Sequence, residues 1–321
     1  MTTRRAFCAA LVPLAACRLS RQAALNRAVR YLWSRQAADG GWHSDTYGLL
    51  RSGQSLTPFV LDALMRLPAA PSEKISRALG FILRHTDQEG ALGRIDPLLA
   101  DYPNYATALA ARCIQRPHPG LDYLRAQQFT EDNGWKPDDP CYGAWGMGGD
   151  RRTPPYPGHV DLSMTRHVLE ALAFHFMPED PVFARARIFL DRCQNPDGGF
   201  FFSTVVLDAN KAGEQRSYGT ATADGVLALR ALRRAADPVR LGRAEAWLRA
   251  HHQPGGVPGF SGDAYKRWPQ GLRYYYAAAA PWLNHDLEAL QRPDGSFSNP
   301  EPLVKEDDPL IATAFAVRAF A

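Results

Sequence analysis

Residues 194–200 read Gln-Asn-Pro-Asp-Gly-Gly-Phe, and the phrase returns as Gln-Ala-Ala-Asp-Gly-Gly-Trp at 36–42 and Gln-Arg-Pro-Asp-Gly-Ser-Phe at 291–297. A longer form, QQFTEDNGW, fills 127–135, and worn copies lie at 88–93 and 253–260. A glutamine, an Asp-Gly turn and an aromatic recurring in this way mark an internal repeat, and a repeat decides architecture before any local reading does.

Two kinds of helical segment alternate around the phrase. The segments that lead into it, 21–36, 72–85, 118–128, 180–194, 237–253 and 282–291, carry apolar residues at i, i+3, i+4 and i+7 with charges between, as in Leu25, Val29, Leu32 and Trp33. That spacing makes a helix with one buried face and one solvated face. Several open on Asp-Pro, which supplies a cap and a first-turn proline. The segments that follow, 55–67, 104–115, 161–176, 218–234, 272–283 and 309–320, are richer in alanine and apolar on more than one face, as suits helices packed on both sides. The alternation gives hairpins of about 50 residues, the scale of helical repeats. With no polar terminal cap to end an open solenoid, closure into a ring is the better arrangement. The expected fold is all-α, an (α/α)6 toroid of six inner and six outer helices over 21–321.

Composition narrows the partners. Among 321 residues, 37 Lys and Arg against 33 Asp and Glu leave a net charge of +4, without a basic run dense enough for a nucleic-acid partner. Five cysteines, with no CxxC spacing, give no disulfide framework. Residues 1–20 form a leader, in which Arg4-Arg5 followed by an apolar run resembles a twin-arginine export signal. Leu14-Ala15-Ala16-Cys17 resembles a lipobox, which would anchor the protein by a lipid at Cys17. The competing reading is a helix that begins with two arginines, in a cytoplasmic protein. No apolar stretch is long enough for a spanning helix.

The phrases at 36–42, 194–200 and 291–297 resemble the QW motif of the squalene–hopene and oxidosqualene cyclases, whose α/α toroid is also found in protein prenyltransferase β subunits. The resemblance covers nearly all of 21–321. It implies that Gln36, Gln194 and Gln291 bond backbone groups at helix ends, that the aromatics stack beneath, and that both are structural. It also implies a central cavity for an isoprenoid or triterpenoid. The cyclases protonate their polyene from a D-x-D-D-T-A phrase. The matching stretch here, Tyr218-Gly219-Thr220-Ala221-Thr222-Ala223-Asp224, lacks those acids and places Asp224 a turn too late. A second barrel, which a complete cyclase would need, exceeds 321 residues.

The prenyltransferase zinc phrase D-x-C-Y-x-x-W is similar to Asp139-Pro140-Cys141-Tyr142-Gly143-Ala144-Trp145. Its third ligand, a histidine, is absent from the next inner segment, with His159 and His167 the nearest, so no cofactor is expected and Cys141 reads as a small buried residue. Ala212-Gly213-Glu214-Gln215 lacks the cysteine of a complement-type thioester. Paired carboxylates of an (α/α)6 glycosidase are not evident.

The residues that open the inner helices should line one mouth of the barrel. Tyr102, Tyr105, His159, His167, Tyr218, Tyr275 and Phe315 are the expected substrate-binding residues, because aromatic faces hold a polyene and stabilise carbocations. Asp161, Asp307 and Asp308 are the expected acids, since burial in such a lining raises a carboxyl pKa. The alternative is that each begins a helix as its cap. Two functions stay open: an unusual cyclase or transferase acting on an isoprenoid, and a non-catalytic toroid that binds a hydrophobic or peptide ligand.

Overall fold

The structure, a computed structural model, describes residues 5–68, 71–94, 101–233 and 236–321, with side chains from Ser20 onward. Among the described residues it holds twelve α-helices and no strand beyond isolated bridges. They are α1 (Arg5–Ser34), α2 (Leu56–Leu64), α3 (Ser72–His85), α4 (Pro103–Ile114), α5 (Gly120–Ala126), α6 (Leu162–His175), α7 (Pro181–Cys193), α8 (Gly219–Ala231), α9 (Pro238–His251), α10 (Trp268–Gly271), α11 (Arg273–Ala279) and α12 (Pro309–Phe320).

Burial sorts them as periodicity requires. Every residue of α2 is buried, whereas α3, with fourteen residues, buries only Ala78, Phe81 and Ile82. The inner helices α2, α4, α6, α8, α11 and α12 pack each on the next, and α12 returns to α2, so the ring is closed. Outside it, α1 lies against α12, α3 against α2 and α4, α5 against α4, α7 against α6 and α8, and α9 against α8. The expected toroid is therefore found. Its sixth outer position differs from the expected helix at 282–291, which is a loop with one 3-10 turn at Glu288–Leu290. Pro281, just past the end of α11, has no N–H to continue a ladder. His285 and His252 bond the carbonyls of Ala280 and Asn284 instead.

The repeated phrase has a repeated geometry. Gln36 Nε2 donates to Gly40 O at 3.0 Å and to Lys74 O at 2.9 Å. Gln194 Nε2 donates to Gly198 O at 3.0 Å and Arg240 O at 2.9 Å. Gln291 Nε2 donates to Gly295 O at 2.9 Å and Ala24 O at 2.8 Å. Lys74, Arg240 and Ala24 belong to α3, α9 and α1, so each amide ties one outer element to the next, and Gln291 closes the circle. The aromatic is fastened inward. Trp42, Phe200 and Phe297 donate their backbone N–H to Thr57, Thr222 and Thr313 of the inner helices at 2.9–3.0 Å.

Two copies sit differently from their sequence reading. In the third, the bridging amide is Gln128, donating to Gly143 O and Val182 O, and the aromatic is Trp145, whose N–H reaches Thr165. Residues 129–142 are an insertion, and Trp135 instead donates its indole N–H to Arg152 O at 2.9 Å. In the second, Asp87 N bonds Ala91 O just as Ala37 N bonds Gly41 O. Thr86 thus takes the glutamine's place, two residues before Gln88, and Leu92 the aromatic's, with its N–H on Thr107. At 253–260 only a Gln253–Gly256 bridge remains.

The turn glycine is fixed by two constraints at once. Gly198 has φ +94, the left-handed region, and a Cβ there would lie 2.9 Å from Arg243 O of α9. Gly143 repeats this with φ +84 and 2.0 Å to Arg185 O. The outer helix can approach this closely only because the turn carries no side chain.

The twin arginines and Cys17 of the expected leader lie outside the described residues, as side chains or entirely. The backbone from Arg5 is helical and continuous with α1. No helix among the described residues is long and apolar enough to cross a membrane.

Replacing Gln194 by alanine leaves Gly198 O without its donor and cuts the α7–α9 tie. We expect a loss of about 1–3 kcal/mol in denaturant-measured stability. Coincident unfolding curves for Gln194→Ala and wild type would overturn the bridging role.

Candidate functional site

A cavity of about 770 Å3 opens at the N-terminal ends of the inner helices, within the range of small-molecule sites, roughly 300–1,000 Å3. Tyr102 and Tyr105 reach it from the start of α4, Asp161, Ser163, Met164 and His167 from the start of α6, Tyr275 from α11 and Phe315 from α12. Loops supply Phe202 and Lys211, and Val304 and Lys305, and α10 supplies Trp268. Seven of the sequence-derived residues are thus brought together: Tyr102, Tyr105, His159, Asp161, His167, Tyr275 and Phe315.

Tyr218, Asp307 and Asp308 are not among the lining residues. Tyr218 is wholly buried, with its ring 5.4 Å from that of Phe260. Asp308 caps α12 by accepting from Leu310 N at 2.8 Å and also accepts the Ser44 hydroxyl. Asp307 accepts the Tyr47 hydroxyl. The capping reading holds for Asp308, and it holds for Asp161 together with the cavity reading. One Asp161 oxygen accepts from Met164 N at 2.7 Å, and the other meets His159 Nε2 at 3.0 Å.

Aromatic contacts shape the wall. Tyr275 stacks on Phe315 with centroids 5.4 Å apart, Phe315 meets Phe59 edge-on at 4.9 Å, and Tyr105 meets His167 edge-on at 4.4 Å. Burial raises the Tyr105 hydroxyl to about 12. Burial and the Arg166 guanidinium push His167 well below its ordinary value, so its imidazole is neutral. The Nδ1 of that ring bonds Ser163 O at 2.9 Å.

Beneath the wall the barrel axis is crossed by ion pairs. Arg166 bonds Asp224 at 3.1 Å and Glu170 at 3.0 Å, Arg112 pairs with Glu170 and with Asp62 at 2.9 Å, and Arg318 lies 3.4 Å from Asp62. These residues come from α2, α4, α6, α8 and α12, so an unbroken chain of ion pairs links five of the six inner helices from inside. Asp224 also accepts the Tyr275 hydroxyl, which in turn meets Ser163 Oγ at 2.6 Å. Burial raises Asp224 despite the opposing pull of Arg166. Of the matching cyclase stretch, then, Asp224 alone is acidic, and it is held by an arginine below the cavity.

The zinc-like phrase is the turn of the third repeat. Asp139 accepts from Lys136 N at 2.7 Å, and Cys141 is buried, which with the Asp139 charge lifts its thiol to about 12. Among the described residues no group of three His, Cys, Asp or Glu side chains is placed to hold a metal ion.

Sequence reasoning missed Phe202, Lys211 and Lys305. The one available signal was position, since the loops before inner helices must pass over the mouth.

No protein-family model matches this chain, and no curated protein sequence matches it. Solved structures similar to it include the type II terpene cyclase MstE from Scytonema with geranylgeranyl dihydroxybenzoate, at a TM-score of 0.62 and 14% identity over 94% of this chain and 97% of that one. A protein from Actinoplanes aligns at 0.60 and 17% identity over 94% and 98%, and D-mannose isomerase at 0.57 and 12% over 92% and 96%. The fold is therefore that of the terpenoid cyclase-like α/α toroids. The isomerase shows that such a scaffold serves more than one chemistry.

Glu306 gives the region a pH dependence. It is wholly buried behind Tyr275, where it accepts from Tyr275 N at 2.7 Å, Tyr274 N at 3.2 Å and Asn299 Nδ2 at 2.8 Å. Burial lifts it to about 7 from an ordinary value of 4.5, although those donors pull it down. Its stabilising contribution is full below about 4.5 and is lost as pH rises through about 7. Glu306→Gln stays neutral throughout. Between pH 5 and pH 8 wild type should lose stability relative to this variant by on the order of 1–3 kcal/mol. Parallel stability–pH curves would count against the buried carboxyl.

Proposed function

We propose that this chain is a single-barrel relative of the squalene–hopene cyclase group that holds an isoprenoid or triterpenoid in its central cavity. The observation that carries the reading is the cavity wall, built from Tyr105, Phe202, Trp268, Tyr275 and Phe315 at the open end of a closed helical ring. A folded chain leaves a large concave aromatic surface unfilled where an apolar ligand sits. Support comes from the glutamine phrases, which fasten the outer ring in the way the QW resemblance implies. The neighbour MstE, whose bound ligand carries a geranylgeranyl chain, lends further support.

The second reading, a binding module without turnover, is favoured by one specific observation. The interior carboxylates are already engaged: Asp161 by Met164 N and His159, Asp224 by Arg166 and Tyr275. A proton donor for a polyene needs a carboxyl with a free proton facing the chain. If turnover occurs, Asp161 is the acid we assign, as it alone of the three expected acids lines the cavity.

Squalene or geranylgeraniol should raise the Tm by mass action. Phe315→Ser, which removes the ring between Tyr275 and Phe59, should weaken binding about tenfold or more. A Tm that neither compound moves would overturn the isoprenoid reading. Product analysis of wild type against Asp161→Asn separates enzyme from binding module: product lost in the variant assigns turnover to Asp161, and no product from either assigns binding alone.

We also propose that the chain works without zinc. Elemental analysis should find no stoichiometric metal, and about one zinc per chain that disappears in Cys141→Ser would reverse that proposal.

A further inference from the structure

Two lysines line the cavity, and they are held differently. Lys305 sits between the faces of Tyr47 and Tyr102, its Nζ 5.6 and 5.7 Å from the two centroids, with the Tyr102 hydroxyl 3.4 Å away. Lys211 is half-buried and rests its Nζ on the Phe202 face, 3.5 Å from the centroid. Among the described residues no carboxylate comes within 4 Å of the Lys211 ammonium and no hydrogen bond satisfies it, although it faces a cavity with Asp161 in its wall. The Asp161 oxygens are taken by the first turn of α6 and by His159. The other lining carboxylates, Asp208 and Glu214, stand exposed at the rim.

An ammonium partly withdrawn from water, with no carboxylate against it, is less well stabilised than a solvated or paired one. Burial pulls Lys211 down to about 8 against the attraction of Asp161 and Asp224, so at neutral pH it remains mostly protonated. The single cation–π contact with Phe202 offsets only part of the lost hydration. All three ammonium donors stay available.

The geometry points to Lys211 as the binding point for an acidic head group, a carboxylate or a phosphate monoester, on a ligand whose apolar chain runs against Tyr105, Tyr275 and Phe315. The ligand is amphipathic: its anion meets the loop that crosses the mouth, and its tail enters the ring. This rests on the reading of the cavity as a site for an apolar ligand, and it narrows that reading from a hydrocarbon to a lipid acid. The anion supplies the missing counterion in a partly desolvated setting, where a charge-assisted hydrogen bond is stronger than in bulk water.

Binding to the full chain at pH 7 is measured for farnesol, farnesoic acid and farnesyl phosphate, and for hexadecanol and palmitate, with wild type, Lys211→Met and Lys211→Arg. Wild type should bind the acidic members at least tenfold more tightly than the alcohols. Lys211→Met should erase that preference while leaving the alcohols within about twofold, and Lys211→Arg should restore most of it. Whichever of farnesoic acid and farnesyl phosphate gains more identifies the head group. Equal binding of acid and alcohol by wild type would overturn the inference whether or not the variants fold, as would a preference that survives in Lys211→Met. Lys211-dependent palmitate binding with no isoprenoid binding would leave this inference standing and sink the isoprenoid reading. Binding of every chain without preference would do the reverse, and binding of none would sink both.

Discussion

The glutamine carboxamide is a short planar group with two N–H donors set at a fixed angle, and the toroid depends on that geometry. One donor closes a turn on its own chain, and the other grips a backbone carbonyl of the adjacent outer helix, as Gln194 does with Gly198 and Arg240. The aromatic that follows is carried inward by the same turn and docks its N–H on a threonine of the inner ring. One seven-residue phrase thus sets two spacings, between neighbouring outer helices and between the two rings. Because the same hydrogen bonds recur at four of the six units, through Gln36, Gln128, Gln194 and Gln291, the curvature of the ring follows largely from local chemistry. The ring needs no long-range design beyond the match of six repeats to one turn.

The inner ring has a second support of opposite character. Arg112, Arg166 and Arg318 interleave with Asp62, Glu170 and Asp224 across five helices. Buried ion pairs contribute little net stability compared with apolar packing, and they penalise any arrangement that leaves one partner alone. Their effect here is to fix the rotation of these five inner helices about their own axes. The aromatic side chains one or two turns above them then point into a common space. The cavity wall is therefore positioned from below by charges and from the side by threonine hydroxyls. Its mouth, in contrast, is framed by loops at 202–211 and 303–305.

That division explains what could be read in the sequence. The inner and outer helices announced themselves through periodicity, and Tyr102, Tyr105, Asp161, His167, Tyr275 and Phe315 followed because a helix of known phase and direction places its first turns. The helix expected at 282–291 failed because an amphipathic pattern is also compatible with a compact turn when Pro281 ends the preceding helix and two histidines take over the carbonyls. The third repeat was misread because an insertion between Gln128 and Trp145 left a nearer tryptophan, Trp135, at a plausible distance. Lys211 and Phe202 stayed illegible because loops have no period, and their place over the mouth depends on Ser203 and Asn210 folding the segment back through backbone bonds.

The closing tie from Gln291 to Ala24 joins residues 267 apart in sequence, and Arg21 reaches Ala319 across a separation of 298. An open solenoid can gain or lose a repeat at either end at modest cost, because each unit touches only its neighbours. Here the first and last units are neighbours, so removing or adding one leaves every bond of the seam unmatched. The chain is a repeat protein whose repeat number cannot drift by single units. The seam also makes its formation a late event, since the loop-closure entropy of nearly the whole chain must be met before these contacts repay it. A ribosome-bound chain still lacking residues 282–321 would carry five finished units with the faces of α1 and α2 that α12 covers still open.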